Sequence, residues 1–380
     1  MDFGLTVKQT EIRDKCRKFA GDVIVPKGSL LEIDLGERME VFSQMGQAGL
    51  FSLVLPKEVG GEGDTVAYLS GLEEIAKCDA GIAVAMAVTN MVAETLMNYG
   101  SEEARDKVLR KVADGTGVPL SFAMTEKQAG SDVKAIETTY SDDPHDPKFF
   151  LLEGSKQFIT NGDICSSIIV IAKKKGTDLI SALLVDRKTT GYSVPKKENK
   201  LGLLTANLVG LEFDKCKVLK SSLVGREGEG LQVALSSLDS GRLGIAAQSL
   251  GIAEAAFEAA VKYAKRRQQF GHPIGDNQAI AFKLADMRVS IDAGRLLMYR
   301  AALLKDKKEP FTVEAAEAKL YCSEMCNRVA DEALQIHGGY GYVKEYPLEK
   351  YFRDARATTI YEGTSEIQRL VISRDLLKKD

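Results

Sequence analysis

The apolar positions of the chain change period twice. From Thr6 to about residue 118 they recur at helical spacing, as in TEIRDKCRKFA, VAYLSGLEEIAK and SEEARDKVLRKVADG, so this segment is expected to be helical. Thr6 and Gln9 have capping-box spacing at the first of these helices, where each side chain can satisfy the other residue's backbone N–H. The glycines of PKEVGGEGD, residues 56–64, break the pattern into a loop. Between about 119 and 229 come short alternating or β-branched runs: FFLLEGSKQFIT, SSIIVIAKK, LISALLVD, GYSVP and LVGLEFDKCKVL. Gly, Asn and Asp punctuate them, which predicts strands in a small barrel or sandwich. From about 230 the helical period returns. GLQVALSSLDSGRLGIAAQSLGIAEAAFEAAVKYAKRR contains no proline, and Gln278–Lys307 puts Leu284, Met287, Ile291, Leu297 and Leu304 near one face. Pro310 stops that helix, Thr312 is placed to cap the next, and a last helix starts after Gly363. The pattern predicts an α+β chain: an N-terminal all-α domain over 1–118, a middle β-barrel or sandwich domain over 119–229, and a C-terminal four-helix bundle domain over 230–380.

Composition narrows the picture by exclusion. With 380 residues, 44% of them hydrophobic, the chain can bury a large core, and its 28% charged fraction is ordinary for a globular protein. A formal net charge of −3 gives no bulk attraction to nucleic acid or an anionic membrane, although Lys265-Arg266-Arg267 is a local basic cluster. No apolar run is read as approaching the roughly 20 residues of a membrane span, and MDFGLTVKQTEIRDK has no apolar signal core. A cytoplasmic protein is the simplest expectation. The six cysteines are scattered without a CxxC, and buried free thiols are expected rather than a metal site. None of the three histidines stands near a Ser or Cys motif, which leaves no support for a histidine triad or a zinc site.

Six stretches carry candidate chemistry, each against a bland reading. SFAMTEKQAGSDV (121–133) is a small-residue loop able to approach a flat ring or a phosphate, or an ordinary turn. QFITNG (157–162) reads first as a strand running into an Asn-Gly hairpin turn. KRRQQFGHPIGDNQ (265–278) is either a phosphate and base clamp or a charged helix end. QIHGGYGY (335–342) is a helix C-cap whose glycines admit close approach, but it lacks the dinucleotide GxGxxG spacing. Asp239 and Arg242 are three apart on a helix, an intrahelical pair by default and an anion-facing arginine otherwise. In IYEGTSEIQR (360–369), Thr364 or Ser365 caps the last helix, and Glu362 is either a solvated loop acid or a positioned base.

Taken together these stretches resemble the acyl-CoA dehydrogenase family. TEKQAGSD, QFITNG, RQQFGHPIGDNQ, QIHGGYGY and IYEGTSEIQR occur in the family's order, and the resemblance covers essentially the whole chain. It implies an FAD flavoenzyme, usually a homotetramer, that oxidises an acyl-CoA thioester to its trans-2-enoyl form and passes electrons to an electron-transfer flavoprotein. Carried over residue by residue, the loop from Phe122 to Ser131 holds the flavin, with Thr125 near the ring's polar edge and Ser131 also touching CoA. Phe158, Ile159 and Thr160 line the flavin; Phe158 stands where many members carry a tryptophan. Arg267, Gln269, Phe270 and Gln278 reach the adenine and pyrophosphate of a neighbouring subunit's FAD, and Gln335 and Gly339 complete that site. Asp239 and Arg242 match the CoA-contacting pair, and Thr364 and Glu366 match FAD contacts. Glu362 is the implied catalytic base, removing the α proton as hydride leaves the β carbon for flavin N5. Tyr361 and Gly363 flank it as residues close to the thioester.

Two absences sharpen the resemblance. Isovaleryl- and long-chain-type members carry the base on the helix of the Asp-Arg pair, where this chain has Gly241. Glutaryl-type members carry an arginine where ungapped matching puts Ala83, so an uncharged short- to medium-chain, branched or alicyclic acyl group is favoured. The same residues would also serve an enoyl-CoA reductase running in reverse, since an enzyme alters no equilibrium. A catalytically silent CoA-binding or scaffold protein is the alternative from a different class.

Overall fold

The computed structural model describes residues 4–378. Its first third is helical: α1 (Val7–Phe19), α2 (Leu30–Ile33), α3 (Leu35–Gln47), α4 (Thr65–Cys78), α5 (Ala80–Tyr99) and α6 (Glu102–Ala113). The expected capping box forms at α1, where Gln9 N donates to the Thr6 hydroxyl at 3.3 Å and Thr6 N donates to Gln9 Oε1 at 3.0 Å. Asp64 and Asp79 cap α4 and α5 by accepting first-turn N–H groups that have no helical partner. One expectation needs correction. Helix α5 is an apolar run of membrane length, with a mean hydropathy of 1.5, but 89% of that window is buried inside the protein. A helix that is apolar around its whole circumference must be covered on all sides, and here other helices cover it.

The middle segment folds into one eight-stranded sheet. Its strands are β1 (Leu120–Ala123), β2 (Thr139–Asp142), β3 (Phe149–Thr160), β4 (Ser167–Lys174), β5 (Ile180–Asp186), β6 (Tyr192–Lys197), β7 (Leu208–Leu219) and β8 (Leu223–Val224). They run in the order β6-β7-β3-β2-β4-β5-β8, with β1 beside β4. Leu152 and Ile159 of β3, Val209 and Phe213 of β7, Val170 of β4 and Leu183 of β5 share one core, so the sheet wraps around it. Ile169, Ile171, Ala182 and Leu184, on the opposite face of β4 and β5, join the helical core instead. Burial on both faces explains why these two strands are almost continuously apolar. The expected Asn-Gly hairpin does not form: β3 pairs with β2 and β7, whereas β4 pairs with β1, β2 and β5. Asn161 takes the left-handed φ of 54° that such a turn needs. Its Oδ1 and N–H are engaged by Asn207 N and Asn207 O, both at 2.9 Å, which closes the turn on the loop before β7.

The last segment opens with the long α7 (Gly230–Arg266). A two-stranded turn, β9 (Gln268–Gln269) and β10 (His272–Pro273), leads into α8 (Gln278–Asp306), and then come α9 (Thr312–His337), α10 (Gly339–Tyr342), α11 (Leu348–Ala357) and α12 (Ser365–Leu376). Helices α7, α8, α9 and α12 make the bundle, and their core is continuous with that of α4 and α5. That shared core brings α5 against α7. Thr312 does not cap α9; Phe311 takes the N-cap position without a side-chain bond. The Thr312 hydroxyl donates instead to Asp239 Oδ2 of α7 at 2.6 Å. On α8, Met287 and Ile291 are buried as expected, while Phe282, Val289, Leu296 and Leu303, each seven residues apart, are exposed.

A buried polar junction ties the three segments. Lys350 of α11 reaches Asp354 Oδ2 at 2.6 Å and Asp79 Oδ2 at 3.4 Å. Leu203 N donates to Asp354 Oδ1 at 2.5 Å, and the Thr205 hydroxyl donates to Asp79. Both aspartates are almost without solvent contact. Among the described residues Lys350 is the cation in ion-pair contact with these two buried carboxylates, so Lys350→Met is expected to cost about 3 kcal/mol of stability. Scanning calorimetry reads this as a lower unfolding midpoint, and an unchanged midpoint would show the junction to be energetically idle.

Candidate active site

The residues between α11 and α12 form a sharp return. Glu362 and Gly363 have φ of 54° and 86°, and the left-handed region costs a non-glycine residue roughly 1–2 kcal/mol. Such a conformation persists only where its surroundings over-determine it, and here three helices do so. Gln368 Nε2 of α12 donates to the carbonyls of Glu362 at 3.1 Å and Gly363 at 2.9 Å. Lys319 Nζ of α9 donates to the Gly363 carbonyl at 2.6 Å. The Tyr361 hydroxyl donates to Gln248 Oε1 of α7. Thr364 caps α12 by accepting from Ile367 N at 3.3 Å, as its spacing predicts.

This return aims the Glu362 side chain at α7. A Cβ on Gly241 would lie 2.6 Å from Glu362 Oε2 and 2.9 Å from Met91 Sδ of α5. The carboxylate therefore occupies the space that any side chain at residue 241 would need. Glu362 as a whole is half-buried, but its Oε2 has no solvent contact and no hydrogen-bond partner among the described residues. Burial pushes its pKa up to about 7, against the opposing pull of Arg242 and then Lys319. Such a carboxyl exchanges its proton near neutral pH, as a general base requires. The loop-acid reading of Glu362 does not survive this burial. Arg242 is 4% exposed and its Nη1 pairs with Asp239 Oδ1 at 2.5 Å, so the expected intrahelical pair forms, and its guanidinium still acts on Glu362 through space.

The other expected residues gather in two places. In the first, the loop after β1 is fastened to β3. Lys156 Nζ, fully buried, donates to Met124 O at 2.9 Å and Glu126 Oε1 at 2.6 Å, and Gln157 N donates to Thr125 O at 2.9 Å. Phe122, Thr125 and Thr160 are half-buried there and Ser131 is exposed. Phe158, at φ 59°, turns out of the sheet and is 52% exposed. Ile159 turns the other way into the β core, which leaves only its main chain for a ligand. In the second place, Arg267, Gln269, Gln335 and Gly339 line a cavity of about 460 Å³ together with Tyr263, His337 and Tyr340. The Arg267 guanidinium lies 5.6 Å from the Tyr340 ring centre. Phe270, 95% exposed, and Gln278 stand outside that cavity, and Glu366 is exposed on the first turn of α12.

These features fit FAD. An exposed aromatic beside a backbone-rich loop suits a flat ring. A cavity with a guanidinium, two glycines and aromatic walls suits a pyrophosphate and an adenine. The sequence reading missed Lys319, Gln368, Gln248 and the Lys156–Glu126 pair. One signal was present for Lys319: in EAAEAKLYCSEM it falls on the same helical stripe as Ala315, Ala316, Cys322 and Ser323, all buried. A charge on a core stripe asks for an explanation.

The chain is similar to known proteins along nearly its whole length. The acyl-CoA dehydrogenase N-terminal, middle and C-terminal domain families match residues 6–116, 121–216 and 228–377. An acyl-CoA dehydrogenase of Bacillus subtilis (strain 168) is 42% identical over 378 residues, 98% of this chain and 99% of its own length. The caffeyl-CoA reductase-Etf complex subunit CarC of Acetobacterium woodii is 43% identical over 345 residues, 90% of each chain. The structure of butyryl-CoA dehydrogenase from Megasphaera elsdenii superposes with a TM-score of 0.95 at 39% identity, covering 100% of both chains.

The packing of Glu362 on Gly241 makes a prediction. In Gly241→Ala the new methyl meets the ends of two flexible side chains, so the protein should fold and keep its flavin. The carboxylate must move, and a misplacement of that size is expected to lower the rate of substrate oxidation about 10²-fold. A wild-type rate measured by stopped flow would show that Glu362 tolerates displacement.

Proposed function

The chain belongs to the acyl-CoA dehydrogenase family, and on that premise we propose that it oxidises an uncharged short- or medium-chain, branched or alicyclic acyl-CoA to the trans-2-enoyl thioester, with Glu362 as the base. The chain is an FAD-dependent oxidoreductase acting on CoA thioesters. The observation that supports the assignment of the base is the Glu362 carboxylate, buried, unpartnered at Oε2 and raised to about 7.

The α C–H of a thioester is a weak acid, so a base must be near it and the developing negative charge on the thioester oxygen must be met by donors. Glu362 supplies the base at Oε2. Its own backbone N–H has no partner among the described residues, which leaves it free to donate to the thioester oxygen. Once protonated, the carboxyl is neutral and suits its buried site. Bound FAD supplies the acceptor for the hydride that leaves the β carbon. Phe122, Thr125, Ser131, Phe158 and Thr160 would hold the ring, and Arg267, Gln269, Gln335 and Gly339 the adenine end of a neighbouring subunit's cofactor. Asp239 and Arg242 are assigned to the CoA chain. Ala83, fully buried in α5, brings no cation to a distal carboxylate, which supports an uncharged acyl group.

The exposed stripe Phe282, Val289, Leu296 and Leu303 on α8 leaves an apolar face for association with further copies of the chain, and a homotetramer is the proposed assembly. Six unpaired thiols support a reducing, cytoplasmic setting. An electron-transfer flavoprotein is the proposed electron acceptor, because CarC is a subunit of a complex with Etf. That relative is a reductase, and it is the observation favouring a second reading: the same residues acting in reverse, with Glu362 returning the proton to the α carbon.

Anaerobic addition of short- and medium-chain acyl-CoAs should bleach the flavin absorbance, and no bleaching with any thioester would sink the reading. The rate should rise with pH as Glu362 deprotonates through about 7. Glu362→Gln should keep the flavin and lose about 10²–10⁴-fold of that rate; retained turnover moves the base elsewhere. Light scattering should give the mass of four chains, and a monomer would overturn the tetramer.

A further inference from the structure

The mechanism leaves one buried charge unused. Lys319 of α9 has no exposed surface. Burial pulls its pKa down to about 8, with Glu362 the largest opposing influence. Its ammonium donates to the Gly363 carbonyl, and no carboxylate among the described residues is in ion-pair contact with it. A neutral donor would serve that carbonyl as well, and Gln368 already does so. The charge needs a separate reason, and the group it acts on is Glu362, one residue before the carbonyl it holds.

We propose that Lys319 is the positioning residue of the base: its hydrogen bond fixes the left-handed Glu362–Gly363 return, and its buried charge favours the carboxylate form of Glu362 without touching the carboxylate oxygens. The proposal rests on Glu362 being the base. The surrounding charges bear it out. From α7, Arg242 also favours the carboxylate, but Arg242 is shared with Asp239. Tyr68 of α4 and Tyr361 of the return face the same carboxylate, and both are held neutral, chiefly by burial. Glu366 of α12 and Glu324 of α9 act on Lys319 and favour its charged form. Lys319 thus places a second positive charge beside a carboxylate whose oxygen no donor touches. That carboxyl stays available to an α proton, because its ionisation is supported through space and not through a bond to its oxygen.

The sign is fixed by the direction of the effect. A nearby cation lowers a carboxyl pKa, so removing it raises the pKa further and moves the base out of its working range. The experiment follows substrate reduction of the flavin-loaded enzyme from pH 6 to pH 9 by stopped flow, for wild type, Lys319→Gln and Lys319→Arg. Lys319→Gln keeps a donor and loses the charge; its midpoint should move up by about one pH unit, with a roughly five-fold loss at pH 7 that is recovered at pH 9. Lys319→Arg keeps both features and should retain the wild-type midpoint. Hydrogen exchange over residues 358–368, read without turnover, should quicken in Lys319→Met, which has no donor, and not in Lys319→Gln. An unshifted midpoint in Lys319→Gln overturns the proposal, as does an equal shift in Lys319→Arg. Loss of flavin from both variants marks Lys319 as merely structural and overturns it too. Bleaching on the alkaline plateau, seen in all variants, separates this outcome from a failure of Glu362 as the base.

Discussion

In the proposed mechanism the Glu362 carboxylate must be free of a hydrogen bond at the buried Oε2, yet remain ionisable near neutral pH, and the surrounding charges suit that requirement. Burial alone would push Glu362 further up, as the direction of its shift shows. A direct donor would hold it down but would occupy the oxygen proposed to receive a proton. Two cations at a distance, Arg242 and Lys319, resolve the conflict. Each is itself buried, so each has to be satisfied elsewhere: Arg242 by Asp239, and Lys319 by the carbonyl of Gly363. Asp239 is completed in turn by the Thr312 hydroxyl from the start of α9. The ionisation of one side chain thus depends on two helices, α7 and α9, that are far from it in sequence.

The same use of buried charge recurs where segments meet. Lys350 joins α11 to the carboxylates of Asp79 and Asp354 at the junction of all three segments. Lys156 and Glu126 lock the loop after β1 to β3, where the ring of FAD would rest. Arg38 of α3 reaches the carbonyls of Leu31 and Glu32 and the side chain of Asn207 ahead of β7. Apolar packing would hold these seams together without fixing their registry. A buried ion must meet its partner at a defined distance, so a buried pair specifies position even where it adds little net stability. At the proposed flavin loop and base return, position is what the chemistry would need.

Much of this was legible in the sequence, and the limits have physical causes. The change of period from helix to strand to helix follows from which faces are buried, and burial is written directly in the apolar pattern. The Thr6–Gln9 capping box and the Thr364 cap are local, so three or four residues reveal them. The hairpin at Asn161-Gly162 was misread because the turn residues are the right ones, but the partner strand is chosen by Asn207, 46 residues away. Thr312 looked like a cap because nothing local shows that Asp239 claims its hydroxyl. The apolar length of α5 was overlooked because Thr89, Asn90 and Glu94 interrupt the run; two of these are fully buried within the protein.

Glu362 itself shows why a site residue is harder to read than a fold. Its own neighbourhood, a residue before a glycine and a helix cap, suits a solvated acid. The resemblance to a family suggested its role, but the physical content came from Gly241, 121 positions earlier. That glycine leaves room for the carboxylate. A side chain at 241 and a carboxylate at 362 exclude each other sterically, since both would fill one space against Met91. A small residue on α7 is therefore part of the proposed active site although it has no functional group, and its contribution is the volume it leaves empty.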